Sequence, residues 1–127
     1  MKVTLITVSI TTDSSGDYTS DQVQVEGKLL QYRYVPDGTS PLDTGADLTI
    51  AGNKTGFSYV NQLNIGTTAF QKSPRVATHA DDGTALLYAS AGEPVDDYGY
   101  VGGEQLTVTI ANGGNTKLGK LYMWVGE

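Results

Sequence analysis

Apolar side chains recur at every second position along most of this chain, and the runs that carry the alternation are short and broken by glycine, asparagine, aspartate or proline. Successive side chains on a strand point to opposite faces, so a period of two predicts half-buried β-strands, whereas a helix would need a period of 3.6. Lys2 to Ile10 is a β-branched run ended by Asp13-Ser14-Ser15-Gly16-Asp17. A second strand is expected over Tyr18 to Val25, with Val23 and Val25 on one face. Glu26-Gly27-Lys28 carries a hairpin signal, because glycine there accepts the positive φ of a primed turn. Leu29 to Val35 forms a third strand, stopped by Pro36-Asp37-Gly38.

Further along, Ala46 to Ala51 is expected to point Leu48 and Ile50 the same way, and Phe57 to Ile65 offers Tyr59, Leu63 and Ile65. Thr67 to Gly99 is the least patterned part, with a short strand expected near Val76 and either a helical turn or a strand near Leu86. The chain ends in an expected hairpin. Leu106, Val108 and Ile110 alternate with polar residues, Asn112-Gly113-Gly114-Asn115 turns, and Leu121, Met123 and Val125 alternate with Lys120, Tyr122 and Trp124. Of 127 residues 16 are glycine, nearly twice the usual ~7%. About eight strands with tight turns predict a single all-β domain over residues 1–127, a two-sheet antiparallel β-sandwich of jelly-roll type.

Charge and composition exclude several function classes. The formal net charge is −6, and the cations Lys28, Arg33, Lys54, Lys72, Arg75, Lys117 and Lys120 form no stripe, so nucleic acid is not the expected ligand. No apolar run reaches the ~18 residues of a membrane span, and the alternating first ten residues do not read as a signal peptide. These features predict a soluble protein made in a cytoplasm. With no cysteine, disulfides, thiolate metal sites and Cys nucleophiles are absent together.

Catalytic groups are sparse. His79 is the only histidine and therefore the only possible triad base, yet its surroundings, Ala77-Thr78-His79-Ala80-Asp81, resemble no nucleophile elbow. Asp81-Asp82 and Asp96-Asp97 are adjacent pairs, which a strand would send to opposite faces rather than across one sugar bond. Asp37, Asp43 and Asp47, or Asp96 and Asp97, could contribute oxygen ligands to calcium, but the EF-hand spacing is missing. Gly102-Gly103 and Gly113-Gly114 lack the lysine and following helix of a phosphate loop. Asn53-Lys54-Thr55 matches a glycosylation acceptor and reads as a turn. No enzymatic activity, cofactor or metal is expected.

The aromatics remain. Eight tyrosines and one tryptophan outnumber two phenylalanines, a polar-tipped set that suits interfaces. Tyr32 and Tyr34 share one strand face, and Tyr122 and Trp124 share another. With the first strand they give the expected interface residues: Val3, Leu5, Val8, Tyr32, Tyr34, Tyr122 and Trp124. If those faces line the core instead, they are packing.

Three blocks carry a resemblance. They are Leu30-Gln31-Tyr32-Arg33-Tyr34-Val35-Pro36-Asp37-Gly38, then Pro41-Leu42-Asp43-Thr44-Gly45-Ala46-Asp47-Leu48-Thr49-Ile50, and last Gly103 to Lys117 with the Trp124-Val125-Gly126 end. In these blocks the chain resembles a family of small tailed-bacteriophage virion structural proteins, of the capsid cement or decoration kind. The resemblance implies a virion component at the capsid surface, with the major capsid protein as partner and a homo-oligomer, most simply a trimer at local three-fold points. It brings no catalytic residues, and Thr67 to Gly99 matches it least. The alternative reading is a carbohydrate- or receptor-binding β-sandwich of a phage tail or fibre, with Tyr122 and Trp124 in its site. Within the sequence, exposure of Trp124 is what separates the two readings.

Overall fold

The computed structural model describes residues 2–87, 92–93 and 95–127. Among these residues there are twelve strands and no helix: β1 Val3–Thr11, β2 Tyr18–Thr19, β3 Val23–Gln24, β4 Gly27–Pro36, β5 Asp47–Gly52, β6 Ser58–Gln62, β7 Phe70–Lys72, β8 Val76–Ala77, β9 Asp96–Asp97, β10 Tyr100–Val101, β11 Gln105–Ala111 and β12 Leu118–Gly126. One sheet runs β1-β12-β4, with β10 and β7 both on the far edge of β4. The other runs β11-β5-β6, with β2 and β3 on the near edge of β11. All pairings between these strands are antiparallel.

The order has a simple logic when the separate two-stranded β8-β9 sheet is set aside and β2 with β3, and β7 with β10, each count as one position. The first strand then pairs with the last, the second with the second-last, the third with the sixth and the fourth with the fifth. A long antiparallel hairpin rolled over itself gives this pattern, which is the jelly roll. The two inner faces meet in one core. Ile10, Leu29, Tyr34, Leu48, Ile50, Leu106, Val108, Ile110, Leu121 and Met123 are all buried, and Leu42 and Ile65 close the core from loops. Each such side chain contributes about 1.5–3 kcal/mol relative to exposure.

Two expected hairpins are crossovers instead. Leu106-Val108-Ile110 and Leu121-Met123-Val125 do alternate as expected, and all six are buried, but β11 and β12 lie in opposite sheets. Their apolar faces oppose each other across the sandwich, so the Asn112–Asn115 turn changes sheets rather than reversing within one. Gly27 does take a positive φ (123°), yet it lifts the chain from β3 in one sheet to β4 in the other. A Cβ at Gly27 would run into the Gly126 carbonyl.

Smaller differences have local causes. The expected strand Tyr18 to Val25 is interrupted between β2 and β3, where the Ser20 hydroxyl accepts a hydrogen bond from the Val108 N–H at 2.9 Å. Between β12 and β4 the register shifts after Trp124, so that Trp124 opposes Gln31 and Val125 opposes Leu29. Leu30 is the extra residue of a bulge, which lets Leu29 and Tyr32 both reach the core despite their odd spacing. Asn64, at φ 53°, ends the alternation after β6 and leaves Leu63 exposed. Near Val76 a short strand forms as expected; near Leu86 the chain makes backbone bonds to Thr78 and Val95 rather than a helical turn. Tyr88 and Pro94, which also fall within Thr67 to Gly99, lie outside the described residues.

Candidate interaction surfaces

Alternation decides which of the expected interface residues are available. Tyr32 and Tyr34 are not: they are 2% and 0% exposed and belong to the core. Phe70 packs against both rings with centroids 5.8 Å away, and the Tyr34 hydroxyl donates to the Gly66 carbonyl at 3.3 Å. Burial pushes the Tyr34 phenol up to about 12. Val8 is also core, at 8% exposed, together with Ile10 on the inner face of β1. These three assignments are corrected by the same cause. The inner faces of β1 and β4 need large apolar groups to fill the space between the sheets, and these residues have the inward parity.

The other four lie together on the outer face of the β1-β12-β4 sheet. Val3 and Leu5 are 51% and 53% exposed. Leu5 stands opposite Trp124, and Thr7 opposite Tyr122. On the other side, Trp124 faces Gln31 and Tyr122 faces Arg33. Trp124 is half-buried among these neighbours, so it is neither a core residue nor a free platform. Beside Tyr122, a hollow of about 410 Å³ is bordered by Ser9, Val35, Pro36, Asp37 and Lys120. The surface is therefore mixed: two exposed aliphatic groups, two aromatic rings, and a rim of Arg33, Lys120, Gln31 and Gln71. Gln71 Nε2 donates to Gln31 Oε1 at 2.8 Å, which fixes that part of the rim.

A second surface was not singled out in the sequence. Between β5 and β6 the register shifts so that Ile50 opposes Val60 but Ala51 opposes Ser58, leaving Tyr59 as a bulged residue. Its ring covers Gly99, where a Cβ would come within 2.8 Å of it. The Tyr59 hydroxyl donates to the Tyr100 carbonyl at 3.1 Å, and the Phe57 ring meets the Tyr59 ring edge-on at 4.9 Å. Phe57 and Tyr100 are 47% and 69% exposed. With Thr55, Val76 and Glu104 they line an open groove of about 600 Å³. Bulges often re-aim a side chain at such places, but a bulge has no signature in a sequence of alternating residues.

Glu104 at the end of this groove is buried. Its Oε1 accepts from the Lys54 and Thr55 N–H groups at 3.1 and 3.0 Å, and its Oε2 from the Thr55 hydroxyl at 2.9 Å. These bonds, led by that from the Thr55 backbone, hold the carboxyl below its ordinary range. Burial, and then the Glu104 charge, push the Tyr59 phenol up. A carboxylate held ionised and occupied by donors suits a turn anchor, not a proton donor.

The remaining acids and His79 are dispersed. Asp37 Oδ2 accepts from the Thr39 and Ser40 N–H groups, and Asp47 accepts from the Asn64 N–H and the Asn112 side chain. Among the described residues, no three His, Asp or Glu side chains are placed to hold a metal ion. His79 is exposed and lies in an isolated bridge to Ala85.

No family model matches the chain, and no curated protein is similar to it. Among solved structures, one titled "Crystal Structure of FLHE" is similar over 100% of both chains, at 11% identity and a TM-score of 0.42. That degree of likeness carries no argument about this protein.

Proposed function

We propose that this protein is a virion structural component of a tailed phage, a cement or decoration protein that binds the major capsid protein and stabilises the head lattice from outside. The observation that carries the reading is the unpartnered outer face of the β1-β12-β4 sheet. There Val3 and Leu5 lie exposed beside Tyr122 and Trp124. Aliphatic and aromatic anchors within a polar rim are the composition of protein interfaces. The resemblance of the Leu30–Gly38, Pro41–Ile50 and Gly103–Lys117 segments to phage head proteins points the same way. Jelly rolls recur in viral capsid proteins and in lectins, which is analogy at the level of fold only.

Cosedimentation with expanded and unexpanded heads tests this. Wild type is expected to pellet with expanded heads, and Trp124→Ala and Leu5→Asp to lose at least tenfold in affinity while keeping the wild-type circular dichroism. Wild type that ignores both kinds of head would overturn the reading.

The Phe57–Tyr59–Tyr100 groove favours a second reading, a carbohydrate-binding module. Exposed aromatic faces beside fixed polar groups are suited to stacking a sugar ring. Binding of oligosaccharides that Tyr100→Ala abolishes, without any binding to heads, would promote it.

A further inference from the structure

Strand β1 lies at the edge of its sheet and pairs with β12 alone among the described residues. Its nine residues contain no proline, no charged side chain and no register shift against β12. Natural edge strands usually carry one of these devices to prevent pairing with another chain. In an antiparallel ladder the N–H and C=O of one residue point the same way, and the direction alternates residue by residue. The two ends of β1 set the phase. The Glu127 N–H donates to the Lys2 carbonyl at 3.0 Å, and the Thr12 N–H donates to the Lys117 carbonyl at 2.9 Å. The even residues Thr4, Ile6, Val8 and Ile10 are therefore bonded to β12. Val3, Leu5, Thr7, Ser9 and Thr11 present their backbone groups to the open edge.

We infer that this edge pairs with β1 of a second copy of the chain, antiparallel about a two-fold axis at Thr7. In that register Thr7 meets Thr7, Leu5 meets Ser9 and Val3 meets Thr11, so every open backbone group of the strand finds a partner, about ten hydrogen bonds in all. Two features favour a second copy. In a protein of net charge −6, this strand brings no like charges together. Ile6, only partly buried on the inner face, meets Val8 of the second copy and is covered. Cross-strand Thr–Thr and aliphatic pairs of this kind are each favourable.

The pairing joins the two outer faces into one continuous surface. It is two-fold, and it replaces the three-fold trimer that lattice symmetry alone suggests. It does not depend on the capsid reading, since it concerns the free protein.

The chain has no cysteine, so a single introduced thiol reports the register. Two Thr7→Cys residues would face each other on the axis, within the ~4.4–6.8 Å Cα separation that a disulfide spans. Two Ser9→Cys residues would lie four positions apart, about 13 Å. Light scattering is expected to give a dimer for wild type, and mild oxidation to cross-link Thr7→Cys at least tenfold faster than Ser9→Cys. Thr7→Lys, which places like charges on the axis while leaving an exposed position in the monomer, is expected to weaken association at least tenfold. Adding Thr7→Glu in equal amount is expected to restore the dimer as a mixed pair. A monomer at tens of micromolar, a trimer, or equal cross-linking of both cysteine variants would overturn the pairing, whatever the outcome with heads.

Discussion

Thr12 is one of the two buried polar side chains among the described residues, 2% exposed at the end of β1. Its hydroxyl donates to the Gly114 carbonyl at 2.6 Å and accepts from the Lys117 N–H at 2.7 Å. One oxygen thus ties the start of the first loop to the turn that carries the chain from β11 to β12. Gly16 and Gly113 close the same junction, the Gly113 N–H donating to the Gly16 carbonyl at 2.8 Å. Thr12→Val keeps the shape and removes the hydroxyl, leaving the partly buried Lys117 N–H and Gly114 carbonyl without this partner. The expected cost is about 1–3 kcal/mol, which for a domain of this size lowers the melting temperature by several degrees. Calorimetry on Thr12→Val and Thr12→Ser checks it. Serine should retain most of the stability, and an unaltered melting temperature in the valine variant would show that the hydroxyl is dispensable. Nothing in the sequence marks this threonine among its many neighbours of the same type, because its partners are more than a hundred residues away.

At the scale of elements, what alternation can show and what it cannot are cleanly divided. Faces were legible: Leu48 with Ile50, Leu106 with Val108 and Ile110, and Leu121 with Met123 and Val125 are all core. Partners were not, because a Gly-Asn turn that closes a hairpin and one that crosses between sheets have the same local chemistry. Only the requirement that both apolar faces be covered separates them, and that is a property of the whole roll. Outward parity was legible for Val3, Leu5, Tyr122 and Trp124. It was missed where a bulge overrides parity, as at Tyr59. Parity of the backbone also makes a prediction for β1. Val8→Pro removes an N–H that bonds to β12 and places a ring inside the ladder, whereas Thr7→Pro removes one that faces the open edge. Urea unfolding is expected to show Val8→Pro destabilised by about 3 kcal/mol or more and Thr7→Pro by much less. Equal losses would mean that the assigned phase of the ladder is wrong.

Across the whole molecule, the loops are held by carboxylates that need to be ionised. Asp13 accepts from the Ser15 and Asp17 N–H groups, Asp37 from those of Thr39 and Ser40, Asp82 from that of Thr84, and Glu104 from those of Lys54 and Thr55. Backbone hydrogen bonds are the leading cause in each case, and all four groups are held below their ordinary values. A carboxyl with a lower pKa folded than unfolded binds fewer protons in the folded state. Its stabilising contribution is therefore complete above the unfolded value, near 4, and is lost as pH falls through the lower folded value. The net charge changes sign over the same range. The chain carries a net −6 at neutral pH and, once its acids are protonated, keeps the charge of its 8 Lys and Arg side chains and its one histidine. Partial protonation near the sequence pI of about 4.5 relieves repulsion before the anchors begin to fail, so the two effects act in succession. Melting temperature is expected to change little between about pH 7 and 5 and to fall steeply below about pH 4. Because Glu104 is the buried member of the set, Glu104→Gln should be less stable than wild type at neutral pH, and the gap should narrow as pH falls below the ordinary carboxyl range and the native carboxylate is itself neutralised. A gap that stays constant across that range would mean that Glu104 acts through shape alone, with no contribution from its charge.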